Sequence, residues 1–159
     1  MARNLNYDIP DNDTDVCYDN DPNNCAVYGR LYDWETAMVA CLSGWHLPSD
    51  TEWEALARAV DAEKAGTELK FVSGWNSGGI VGTDNFGFSA LPGGKGDFNF
   101  RGSGSFIGVG DYGGWWTSTE DNSGVDSYIF YMDYSSTHVS IRSYSYIRMD
   151  LYSVRCLQN

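Results

Sequence analysis

The sequence of 159 residues predicts an α+β domain, with two short helices first, then a long glycine-rich loop region, then a late antiparallel sheet. Three observations carry that expectation. Apolar side chains recur at helical spacing within residues 31–60, and they alternate with a period of two from Trp115 onward. Fourteen of the eighteen glycines lie between Gly74 and Gly114, too many for a helix and too long a stretch for a plain connection. The length itself is that of one domain, 1–159, able to bury roughly 70% of the surface that the unfolded chain exposes.

The elements follow in order. Residues 1–25 read as an N-terminal strand and an acidic loop, because residues 8–25 hold six aspartates and four asparagines around Pro10 and Pro22. Asp11, Asp13 and Asp15 resemble the first half of a calcium loop, but Val16 stands where the turn glycine belongs and Pro22 where the bidentate glutamate belongs. The loop therefore reads as solvated acid. A structural calcium ion there is the one cofactor left open, and no other cofactor or metal is expected. Leu31, Trp34, Met38 and Cys41 define a first helix, stopped by Gly44. Ser49 and Glu52 form a capping box after Pro48 and start a second helix, whose buried stripe is Trp53, Leu56 and Val60. Residues 71–114 form a folded loop pinned by Trp75, Phe86, Phe88, Leu91, Phe98 and Phe106. Residues 115–159 form the sheet. Tyr128, Phe130, Met132 and Tyr134 are expected to face the core, leaving Ser127, Ile129, Tyr131 and Asp133 for water or a ligand.

Charge excludes several functions. With 22 acids against 10 bases, the net charge of −12 repels nucleic-acid phosphate and anionic membrane surfaces. No apolar run reaches the roughly 18–20 residues of a membrane-spanning helix. At 42% hydrophobic residues the chain folds, and its aromatic, glycine-rich, lysine-poor composition favours an extracellular β-containing domain that binds rather than catalyses. The four cysteines, Cys17, Cys25, Cys41 and Cys156, allow three pairings. Cys17–Cys25 with Cys41–Cys156 is the favoured one, against the alternative of four free thiols in a reducing compartment. No signal peptide is visible and Met1-Ala2 before Arg3 reads as a trimmed start, so an extracellular or cell-surface location rests on the cysteines alone.

Five blocks carry a family resemblance: CYDNDPNNCAVYGRLYDWETAM at 17–38, CLSGWHLPSDTEWEAL at 41–56, GTDNFGFSALPGG at 82–94, GGWWTSTE at 113–120 and YSVRC at 152–156. Together they resemble the Fibrobacter succinogenes major paralogous domain family over nearly the whole chain. That family is similar, more remotely, to the C-type lectin fold and to formylglycine-generating proteins. The resemblance implies a C-type lectin-like arrangement of two flanking helices on a small twisted sheet, a Cys41–Cys156 bridge from first helix to last strand, placement on secreted or surface proteins, and no established enzymatic activity. The sugar-coordinating calcium motifs of animal lectins are absent, since Trp75-Asn76 is followed by Ser77. The segment Arg148-Met149-Asp150-Leu151-Tyr152 also departs from the family pattern.

Residues 126–152 hold six of the eleven tyrosines and six serines, the composition of an antibody-like paratope. They also resemble the variable proteins of diversity-generating retroelements. Asp126, Ile129, Tyr131, Asp133, Ser140, Arg142, Tyr144, Tyr146 and Arg148, with Trp116, form the candidate contact surface; the bland alternative is that these residues are ordinary strand formers. The expected function is non-enzymatic recognition of a protein or glycan on another cell or surface, by a monomer or a module of a larger chain. Alternatives are a structural module and a carbohydrate-binding or carbohydrate-processing adhesion module. For the latter, Trp75, Trp115 and Trp116 would be sugar platforms, and Glu120 with Asp121 or Asp84 with Asp111 the only carboxylate pairs. His46 reads as a packed histidine bonded to backbone.

Overall fold

The Ser49 capping box forms as the sequence dictates. Ser49 Oγ accepts from Glu52 N, the Glu52 carboxylate accepts from Ser49 N, and a ten-residue helix follows. The computed structural model describes residues 3–10, 15–97, 104–144 and 147–159; Asp11, Asp13, Phe98 and Tyr146, named above, lie outside them. In chain order the strands are β1 (Asp15–Val16), β2 (Leu31–Tyr32), β3 (Trp45–His46), β4 (Gly93–Asp97), β5 (Ser105–Val109), β6 (Tyr112–Glu120), β7 (Ser127–Asp133), β8 (Ser140–Arg142), β9 (Asp150–Ser153) and β10 (Leu157–Gln158). The helices are α1 (Pro22–Tyr28), α2 (Trp34–Val39), α3 (Asp50–Ala59) and α4 (Ala65–Leu69).

Eight strands join in one mixed sheet of order β1-β2-β9-β4-β6-β7-β8, with β5 paired to β4; β3 and β10 form a separate two-stranded ribbon. The pairings of β6 with β4 and with β9 are parallel, and the rest are antiparallel. This corrects the expected architecture. The C-type lectin-like arrangement of two helices on a small antiparallel sheet is not what the chain builds; it builds a large mixed sheet with short helices around it.

Two misreadings account for the difference. The glycine-rich segment contributes strands: β4 lies at the centre of the sheet, and Gly96 sits there because a Cβ would come within 3.0 Å of the Leu151 side chain on β9. Near the N-terminus, Asp21-Pro22 is a helix start rather than loop. Asp21 caps Asn23 N, and Pro22 takes the first helical position, where its missing N–H costs nothing. The first expected helix also begins later, because Leu31 belongs to β2 and Asp33 caps α2 through Thr36 N.

Both disulfides pair as favoured. Cys17–Cys25 fastens α1 to the preceding turn, and Cys41–Cys156 ties the chain after α2 to the chain after β9 across 115 residues. Among the described residues no helix is long and apolar enough to cross a membrane.

Both faces of the sheet are covered. Trp116, Ile129 and Tyr152 pack with Trp34 and Ala37 of α2, while Trp115, Phe130 and Met132 pack with Trp53 and Ala57 of α3 and with Leu69 of α4. Trp53 stacks on Phe130 with ring centroids 4.4 Å apart. Each buried indole N–H finds an oxygen: Trp34 donates to Thr117 O, Trp53 to Trp116 O, Trp115 to Asn4 Oδ1 and Trp116 to Tyr32 O.

Candidate functional site

On β7 the side chains of Ile129, Tyr131 and Asp133 share one sheet face, and register extends that face to both neighbours. Trp116, Gly114 and Tyr112 of β6 stand opposite Ile129, Tyr131 and Asp133; Arg142 and Ser140 of β8 stand opposite Ile129 and Tyr131. One end of this face is deep in the core, with Trp116 and Ile129 buried. At the other end the cover thins, and half-buried Tyr131 packs only at the margin of the cluster.

There the rings form a layer. The Arg142 guanidinium lies 3.6 Å over the Tyr131 ring, held by a 2.9 Å bond from Nε to Ser140 Oγ. The Tyr131 ring is 5.4 Å from that of Tyr112. Tyr112 lies against Gly108 of β5, where no side chain would fit. Next comes Tyr144, 42% exposed, whose hydroxyl is within 2.6 Å of Tyr152 Oη and donates to Asp150 Oδ2. Lys95 Nζ from β4 donates to Tyr144 Oη at 3.0 Å and pairs with Asp150 at 2.6 Å.

The phenols and Lys95 each hold one protonation state at neutral pH. Burial pushes the phenols of Tyr112, Tyr131, Tyr144 and Tyr152 above the ordinary tyrosine value, so all stay protonated. Burial acts against the charge on Lys95, but Asp150 and Tyr144 outweigh it and hold the ammonium above its usual range. The patch thus offers the bonded hydroxyls of Tyr144 and Tyr152, two cations and the buried Asp150 side chain on a sheet.

The remaining candidates separate. Trp116 (0% exposed) and Ile129 (1%) correct the expectation of a contact surface, because α2 covers their end of the face. Asp133 braces its own turn, its Oδ1 accepting from Ser135 N and Oγ. Asp126 is buried, and Arg148 forms a clamp: it donates to Asp126 O, pairs with Glu120 at 3.2 Å and stacks on Trp34 at 3.8 Å. Tyr112, Lys95, Asp150 and Tyr152 join the patch without having been among the contact residues expected from sequence. Strand parity with Trp116 points to Tyr112, whereas no local pattern marks Lys95.

The matched sequence signature is that of the Fibrobacter succinogenes major domain, which covers residues 1–158. The chain belongs to this bacterial family. No curated protein and no solved structure matches it. Membership accounts for the five sequence blocks but assigns no site. The named carboxylate pairs are braces: Glu120 holds Arg148, Asp121 caps Ser123, Asp84 accepts from Ser89 N and Oγ, and Asp111 accepts from Asn76. His46 bonds to the side chains of Glu52 and Asn159 rather than to backbone, and those bonds raise its pKa. Among the described residues no group of three or more candidate metal ligands gathers.

Proposed function

We propose that this domain is a non-enzymatic recognition module, displayed or secreted, that grips a protein partner through the patch of Arg142, Tyr131, Tyr112 and Tyr144. The observation that carries the reading is the stack of Arg142 on Tyr131 and of Tyr131 against Tyr112 at the open end of the sheet face, with exposed Tyr144 bonded to Lys95 and Tyr152 beside it. Tyrosine and arginine are the residues that most often dominate binding energy at protein interfaces. Their rigidity here lowers the entropy lost on docking, since Arg142 and Tyr144 are already bonded to neighbours. The two disulfides support an oxidising location.

A protein fits this layer better than a glycan. Sugar stacking needs an open ring plane, and Arg142 occupies that of Tyr131, while Trp115 and Trp116 are buried. Diversification by a retroelement, if it acts on this chain, would be tolerated at Tyr131, Ser140, Arg142 and Tyr144, and not at buried Ile129.

The test places a photo-reactive benzophenone side chain at position 144, with exposed Val39 as the control site. Crosslinking to intact cells should give a protease-sensitive adduct at 144 alone, competed by the unlabelled chain and lost in Arg142→Glu. Equal labelling at both sites, or an adduct that resists protease and yields to periodate, overturns the protein reading.

A further inference from the structure

A cavity of about 400 Å³, sharing no lining residue with the tyrosine patch, opens between the N-terminal segment, α1 and the loop that precedes β4. That volume lies in the roughly 300–1,000 Å³ range of small-molecule sites. Eleven residues line it, and although the chain carries 22 acids, none of the eleven is acidic. Two are arginines: exposed Arg3, and Arg155, only 2% exposed. Phe71, Leu91, Ala26 and Val27 supply apolar wall.

Arg155 is the informative residue. Its Nε donates to Asn4 Oδ1 at 2.6 Å, Nη2 donates to Ser89 O at 2.9 Å, and Nη1 donates to Phe88 O. All three acceptors are neutral, which leaves two of its five N–H donors for something else. Asp84, the carboxylate that acts on it electrostatically, spends its hydrogen bonds on Ser89. The Phe88 ring, 4.0 Å from the guanidinium, offsets part of the cost of burying this charge, and with no carboxylate hydrogen-bonded to it a bound anion would offset the rest. A net charge of −12 opposes anions elsewhere on the surface, so a wall free of acids is what admits one.

The geometry points to a binding site for a small amphiphilic carboxylate, its carboxyl group held by Arg155 and Arg3 and its apolar body lying against Phe71 and Leu91. The site is separate from the tyrosine patch and stands or falls independently of it.

Amide chemical shifts of the full chain, followed during titration, test the assignment. 3-Phenylpropionate should saturate shifts at Val27, Ser89 and Leu91, at least about tenfold more tightly than the neutral 3-phenylpropanamide or inorganic phosphate. Arg3→Gln, on an exposed side chain, should weaken it severalfold at unchanged melting temperature, and Ala26→Trp should block it. Equal binding of acid and amide, equal binding of phosphate, an affinity unmoved by Arg3→Gln, or no saturable shift up to roughly 10 mM overturns it.

Discussion

Ile129 and Arg142 are direct cross-strand partners, yet the structure gives them opposite roles, and replacing each by alanine measures the difference. Ile129 is 1% exposed between Trp116 and the apolar side of α2, so truncation opens a cavity that the rigid indole and sheet cannot close. Large-to-small changes of this kind cost about 2–5 kcal/mol, and poor collapse puts Ile129→Ala at about 3–4 kcal/mol. For a chain of this length that is a fall in melting temperature of about 6–16 °C. Arg142→Ala loses an exposed cation–π contact of about 0.5–1 kcal/mol. Urea unfolding of parent and both variants, fitted with a common slope, reads the two costs directly. If Ile129→Ala lies within about 0.5 kcal/mol of the parent, as surface changes do, the sheet face is not covered at that point and the location of the patch is wrong.

Two further outcomes follow from buried chemistry. Lys70 is fully buried with its Nζ bonded to Ser136 O, and burial lowers its pKa to about 8. Between that value and the ordinary lysine value near 10.4, the unfolded chain binds more protons, so stability should rise as pH increases through this window. Lys70→Met should lack the rise in urea midpoints between pH 8 and 10, and parallel profiles for the two proteins would refute the burial argument. The disulfides should differ in weight: removing Cys41–Cys156, which closes 115 residues, should cost about 4–5 kcal/mol, and removing Cys17–Cys25 about 2–3 kcal/mol. Equal losses in calorimetry would show that loop closure is not what the long bridge supplies.

Signals that act within a few residues were legible in the sequence. The Ser49–Glu52 box starts α3, the alternation in 127–133 makes β7, and Cys17 pairs with Cys25 eight residues on. The same kind of signal, Asp21-Pro22, was masked by the acidic composition around it. The glycines of β4 misled for a different reason. A residue without a side chain looks like loop when read alone, and becomes strand here through backbone pairing with β5, β6 and β9, distant in sequence.

Family membership, helix starts, strand periods and the cysteine count belong to the sequence alone, because each rests on covalent neighbours or on residue identity. Which side chains are available to a partner belongs to the tertiary structure. Ile129 and Tyr131 share a strand and a parity, yet α2 covers one and leaves the other at its margin. The patch itself gathers Lys95, Tyr112, Tyr131, Tyr144 and Asp150 from separate strands and loops. Burial is set by what packs on top, and here the covering pieces come from parts of the chain that a sequence window does not join.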